Sequence, residues 1–131
     1  MNRARYIFPL LLCVFFTGCA PAVFIGGAVM GIGGYKYYEG ALEVIYQAPY
    51  DKTWNASIKA LEDMEYRIEE KTQKLGSGTI STSGDNKTKV TISVKYVSQE
   101  ETEVTIRVGI FGDESASNVI KDKIGSILFK K

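Results

Sequence analysis

Apolar residues recur with two different periods along most of this chain, and each period predicts a different kind of element. Alternation of apolar and polar residues is typical of strands that bury one face. It is clearest where Val90, Ile92 and Val94 alternate with Thr91 and Ser93. Turn-forming residues separate such stretches, including Gly76 with Gly78 and the hairpin signal at 84–86. The predicted strands cover residues 35–47, 66–74, 79–83, 87–97 and 102–110.

Two other stretches carry apolar residues three and four positions apart, which predicts amphipathic helices. The first helix is expected to be capped by Asp51 and to run to about residue 65; its apolar stripe consists of Trp54, Ile58, Leu61 and Met64. Trp54 could stack on a ligand, but a core position is favoured. The second helix is expected to be capped by Ser115, and its stripe consists of Ala116, Val119, Ile120, Ile124, Ile127 and Leu128.

These elements together predict the fold class. Strands with one apolar and one polar face form an antiparallel sheet that is covered on one side, and the two helices supply the cover. We therefore expect residues 35–131 to form a single α+β domain, with two layers: an antiparallel sheet of about five strands and two helices on one of its faces.

The first residues have the pattern of an export signal. Arg3 and Arg5 precede the apolar stretch 7–16, which is too short to span a membrane. The sequence that follows, Phe-Thr-Gly-Cys at 16–19, resembles the bacterial lipobox. That resemblance implies cleavage between Gly18 and Cys19, removal of residues 1–18, and acylation of Cys19. Cys13 lies inside the signal and would leave with it.

The segment between the proposed anchor and the domain is rich in glycine and carries no charge over residues 22–34. We interpret residues 19–34 as a lipidated linker that lies against the membrane. Self-association through Gly27 and Gly31, which are four residues apart, is an alternative, and packing on the domain is another. The tyrosines at 35, 37 and 38 suit either the membrane interface or an edge strand.

Three features of the chain resemble a group of small bacterial lipoproteins of unknown function. They are the Gly-Cys-Ala sequence at 18–20, the Tyr-Gln-Ala-Pro sequence at 46–49 before a Trp-bearing helix, and the Val-Gly-Ile-Phe-Gly-Asp sequence at 108–113 before a helix. The resemblance covers nearly all of the chain after the signal. The resemblance implies a location in the cell envelope and an α+β fold. It does not indicate a chemical activity, because the group has no established one.

Composition narrows the classes of function. The chain has 16 basic and 15 acidic residues, and it becomes slightly acidic once Arg3 and Arg5 are removed, which argues against nucleic-acid binding. It contains no histidine, the commonest general base and metal ligand. The adjacent acids at 69–70 and 100–101 are interpreted as solvated charge, and 109–115 as a tight turn with a helix cap. We predict no catalytic residues, no metal site and no cofactor.

The expected function follows from the anchor and from this composition. We predict a non-enzymatic binding or structural module, held by membrane lipid through acylated Cys19 and facing the periplasm. Lipoproteins with aspartate after the lipidated cysteine usually stay in the inner membrane; Ala20 stands there, so the outer membrane is expected. The partners would be lipid and an envelope protein. A membrane-active or self-associating protein acting through 22–34 is the alternative, and an envelope hydrolase ranks below it.

Overall fold

Six strands and two helices follow one another in the part of the chain that the structure, a computed structural model, describes: residues 31–84 and 88–130. The signal, Cys19 and residues 19–30 of the predicted linker lie outside that part, as do residues 85–87 of the predicted hairpin turn. In chain order, the elements are β1 (Ile32–Tyr38), β2 (Ala41–Tyr46), α1 (Tyr50–Asp63), β3 (Ile68–Lys74), β4 (Ser77–Thr82), β5 (Val90–Tyr96), β6 (Thr102–Val108) and α2 (Glu114–Leu128).

The strands form one antiparallel sheet in the order β1-β2-β6-β5-β4-β3. The two helices pack against each other and against the central strands β2, β5 and β6. The α+β class is therefore confirmed, with six strands rather than about five. We call the sheet face under the helices the inner face and the opposite one the outer face.

The additional strand comes from residues 35–47, which were predicted as one strand and instead form a hairpin. Glu39 and Gly40 both have positive φ, 51° and 81°, as a two-residue hairpin turn with right-handed twist requires. Tyr38 pairs with Ala41 across this turn. The turn reverses the alternation, so Tyr38 lies on the outer face, 64% exposed, while Leu42 is buried on the inner face.

The core lies between the inner face and the helices. Buried strand residues alternate as predicted, and Trp54 is a core residue, as favoured from the sequence. The buried Thr102 hydroxyl donates to the Ala48 carbonyl oxygen at 2.8 Å. The largest fully buried side chains are Tyr46, Leu42, Leu61, Ile80, Ile92, Ile106, Ile120 and Ile124.

Both predicted helix caps are wrong. Helix α1 begins at Tyr50, after Pro49, and no side chain caps it. The Tyr50 ring stacks on Trp54 one turn later, which requires Tyr50 to be helical. In α2 the cap is Asp113, whose Oδ1 accepts from the Ala116 backbone N–H at 3.0 Å. Gly112, with φ 84°, turns the chain immediately before Asp113 and places that residue, rather than Ser115, at the cap.

Three further positions differ from the sequence-based prediction. Gly78 lies inside β4 rather than in the turn, which is made by Leu75 and Gly76. Val119 belongs to the predicted apolar stripe but is 56% exposed, while Lys121 of the same helix is buried. Ile32–Gly34, assigned to the linker, form the start of β1.

Candidate functional site

The chain enters the described domain at one end of the sheet, which we call the near end. The Gly31 carbonyl oxygen accepts from the Gln47 backbone N–H at 2.7 Å, where β2 finishes. The Phe129 ring occupies the place that a Cβ at residue 31 would take. Packing within the domain therefore accounts for a glycine at 31. Cys19 lies twelve residues earlier in the sequence.

The opposite end of the sheet, the far end, carries an unusual loop. Residues 109–113 connect β6 to α2, and the side chains of Ile110 and Phe111 are 86% and 93% exposed. They are neighbours in sequence, and both are large and apolar. Burying either one would gain about 1.5–3 kcal/mol, so their joint exposure is unfavourable for the isolated domain. The sequence-based interpretation as a capped turn is confirmed in outline, but it gave these two side chains no role.

The polypeptide around these two side chains holds the loop in place. Arg107 donates from one guanidinium nitrogen to the Glu39 carbonyl oxygen at 2.9 Å and from the other to the Ile110 carbonyl oxygen at 3.3 Å. It thereby ties the β1–β2 turn to the loop.

Two glycines bring the backbones of the turn and the loop into contact. A Cβ at Gly112 would collide with the Gly40 carbonyl oxygen, and a Cβ at Gly40 would lie 2.8 Å from the Phe111 carbonyl oxygen. Both glycines also have positive φ. The loop is thus fixed by backbone packing and charged hydrogen bonds, and it presents Ile110 and Phe111 to solvent in a defined position.

A groove of about 800 Å³ lies at the near end, on the helix side of the sheet. Tyr50 lines the groove, and its ring stacks on that of Trp54, with ring centroids 6.4 Å apart and planes 15° apart. Both rings lie on β4 at Gly78, where a Cβ would be 2.5 Å from Trp54 Cζ3 and 2.9 Å from the Tyr50 hydroxyl oxygen. The remaining lining includes Leu75 and Tyr96. The lack of a side chain at residue 78 therefore lets the two rings pack directly on β4.

The Tyr50 hydroxyl oxygen is buried beside this groove and has no hydrogen-bond partner within 31–84 and 88–130. Asp51 is the only carboxylate in the lining, whose other polar residues are Gln73, Lys74 and Gln99. Asp51 and Lys74 are the charged residues of the lining, and the groove offers hydrogen bonds and apolar contact.

The carboxylates noted in the sequence lie on exposed parts of the sheet. Glu69 and Glu70 are in edge strand β3, and Glu100 and Glu101 are in the β5–β6 turn. Glu69 lies at a register irregularity between Ile68 and Glu70, and Glu70 accepts from the Thr72 hydroxyl at 3.3 Å. Asp113 is occupied as the α2 cap. Within the described ranges, no group of three or more acidic, cysteine or histidine side chains is arranged to hold a metal ion.

One buried cation was not foreseen from the sequence. Lys121 Nζ lies 3.8 Å from the centroid of the Tyr35 ring and donates to the Asn118 side-chain oxygen at 3.0 Å. Its carboxylate partner, Asp122, is 3.6 Å away. The ammonium is thus satisfied by a ring face, an amide and an ion pair. It fastens edge strand β1 to α2, so we assign it to the fold.

Tyr46 is the other buried polar group beside α2. Its hydroxyl donates to the Lys121 carbonyl oxygen at 2.8 Å. Burial raises the pKa of Tyr46 far above its usual range, and the Asp122 carboxylate adds to that rise. The Tyr46 hydroxyl therefore ties β2 to α2 through a buried hydrogen bond.

No helix in the described ranges is long and apolar enough to cross a membrane. The search of curated proteins found no match. One family model does match, over residues 4–126, and its description is "Protein of unknown function (DUF3568)". The match includes the far-end loop and the near-end groove, and it covers most of the sequence. The chain therefore belongs to this uncharacterised family.

Proposed function

We propose that this chain is a lipid-anchored lipoprotein of the bacterial cell envelope that acts by binding a protein partner. The lipobox-like sequence ending at Cys19 supports the anchor. Removal of residues 1–18 would leave acylated Cys19 as the new N-terminus, and residues 19–30 would lead to the domain at Gly31. Two or three acyl chains, each adding about 0.8 kcal/mol per buried methylene, give stable attachment.

The observation that carries the binding role is the far-end loop. Ile110 and Phe111 are exposed at the end of the sheet opposite to the one where the chain enters. Side chains of this kind supply most of the binding energy in protein interfaces when a partner buries them. Ala20 after the cysteine favours the outer membrane, so the loop would face the periplasm.

Membrane fractionation tests the anchor with a matched pair of cysteine variants. Cys19→Ala should release the full-length chain from the membrane pellet or leave it unprocessed. Cys13→Ala, which changes only the predicted signal, should fractionate like the wild type. Ala20→Asp should move the protein from the outer to the inner membrane fraction. Equal membrane association of the wild type and the Cys19→Ala variant, both cut to the same length, would refute the lipid anchor.

A further inference from the structure

We infer that the far-end loop is the docking surface for a protein that offers an apolar pocket with basic residues along one side of its rim. This inference rests on the proposed binding role and specifies the partner's chemistry. The surface consists of Ile110 and Phe111, together with the exposed acids Glu39, Asp113 and Glu114. Its hydrophobic centre and charged margin match the general arrangement of protein interfaces.

The shape of the surface argues for a pocket on the partner. The loop projects two adjacent side chains beyond the sheet, and its backbone is fixed by Gly40, Gly112 and Arg107. A fixed loop loses little conformational entropy when it binds, which favours affinity. Protruding anchors of this size need a complementary concave, apolar site to become buried.

The charges around the loop are unevenly distributed. Asp113 and Glu114 follow Phe111 in the chain, and Glu39 precedes Gly40, whose Cα packs on Gly112. Lys89 lies on the Ile110 side, where its carbonyl oxygen accepts from the Gly109 backbone N–H at 2.8 Å. Arg107 adds one positive charge here, and its guanidinium donates to the carbonyl oxygens of Glu39 and Ile110. The three acids outnumber this cation, so the Phe111 side carries net negative charge and a basic rim complements it.

Charge selects a protein over the two other possible occupants. An anionic membrane surface would be repelled by the exposed acids Glu39, Asp113 and Glu114, whereas basic residues on a partner protein would pair with them. A second copy docked loop to loop would place the same acids opposite each other, and like charges oppose such contact.

Photo-crosslinking in cells tests the inference on the full-length, membrane-attached protein. Benzoylphenylalanine replaces Phe111 in one strain and Leu75, which is fully exposed at the near end, in a control strain. Each strain is also made with one of two charge reversals. The test reversal is Glu39→Lys with Glu114→Lys, and the matched control is Glu100→Lys with Glu101→Lys. Asp113 stays unchanged because it caps α2. Adducts are resolved by mass, identified, and compared in yield after irradiation.

The expected result is one adduct to a different protein from position 111 and none to that protein from position 75. Reversing Glu39 and Glu114 should strongly reduce its yield, whereas reversing Glu100 and Glu101 should leave it unchanged. With the identified protein purified, Phe111→Ser should weaken binding by about thirtyfold, as expected for an interface hot spot. Raising the salt concentration should also weaken binding to the unmodified chain.

Four outcomes would overturn the inference: an adduct of the chain with itself, an adduct with phospholipid, no adduct from 111, or equal sensitivity to both charge reversals. Fractionation of the same cells separates this failure from failure of the anchor. Membrane attachment that depends on Cys19, without an adduct at 111, leaves the anchor standing and removes the docking surface. The expected adduct from a chain that is not held by lipid would leave the docking surface standing and remove the anchor.

Discussion

The substitution Gly78→Ala tests how the two aromatic rings of α1 pack on the sheet. The added Cβ would lie 2.5 Å from Trp54 Cζ3 and 3.0 Å from its Cη2. Overpacking of this kind costs about 1–3 kcal/mol, while replacing glycine returns about 0.4–1 kcal/mol through the unfolded chain. We expect a net loss of roughly 1–2 kcal/mol, a sizeable share of the roughly 5–15 kcal/mol typical of a domain.

A second substitution shows whether the loss comes from this one contact. Trp54→Phe removes the outer ring atoms that the new methyl group would meet, and on its own it destabilises the domain by leaving a cavity. The two changes should therefore be less costly together than their sum, with a coupling of about 1 kcal/mol. Ser77→Ala is the matched control, because Ser77 precedes Gly78 in β4 and faces the outer side.

Urea unfolding followed by far-ultraviolet circular dichroism measures the wild type and the four variants, since Trp54 is the only tryptophan and fluorescence would be lost with it. A loss of 1–2 kcal/mol lowers the midpoint by roughly 1 M at the urea dependence usual for small domains. Ser77→Ala should shift it much less. A wild-type midpoint for Gly78→Ala, or strictly additive effects with Trp54→Phe, would refute the packing argument.

Three further variants test separate parts of the structure by the same unfolding measurement. Asp113→Ala should cost about 1 kcal/mol through loss of the α2 cap, whereas Ser115→Ala should cost much less; equal losses would contradict the assignment. Tyr46→Phe should cost about 1 kcal/mol, because the Tyr46 hydroxyl no longer donates to the Lys121 carbonyl oxygen. The pKa of Tyr46 is raised in the folded state, so above about pH 10 the phenol ionises only in the unfolded chain, and the stability of the wild type should fall. This fall should exceed that of Tyr46→Phe by up to about 1.4 kcal/mol per pH unit. Parallel pH profiles of the two proteins would be inconsistent with this. Phe111→Ser should leave stability within about 0.5 kcal/mol of wild type, because the side chain is exposed, and a larger loss would place it in the fold.

The fold class was accessible from the sequence because its periodicities are regular. Val90, Ile92 and Val94 alternate with polar residues and are fully buried, as the pattern predicts. The helical stripe around Trp54 and Leu61 was equally reliable. In these elements local pattern and tertiary packing agree, so periodicity alone identifies the buried face.

The hairpin at Glu39 and Gly40 shows where this reasoning fails. A two-residue turn changes which side chains share a face, but the residues on both sides still alternate along the sequence. The only local signal was Gly40, because Glu39 is an unusual residue at positive φ. Gly78 was misassigned for a related reason: its role depends on two rings that belong to a distant helix.

The candidate surfaces depended more strongly on the structure. An Ile-Phe pair in a loop looks like ordinary apolar residues in sequence, and only the backbone contact between Gly40 and Gly112 shows that the pair is held outward. The buried position of Lys121 likewise depends on Tyr35 from another element. Both arise from contacts between residues far apart in the chain, which periodicity does not report.

The lipid anchor on Cys19 is the central claim, and intact mass spectrometry of the membrane-extracted protein tests it most directly. We predict a mass equal to the chain beginning at Cys19 plus two or three acyl chains, and loss of that species in Cys19→Ala but not in Cys13→Ala. An unmodified chain beginning elsewhere, or an uncut chain with Met1 and no lipid, would contradict it. In that case the far-end loop would belong to a domain that is not held by lipid.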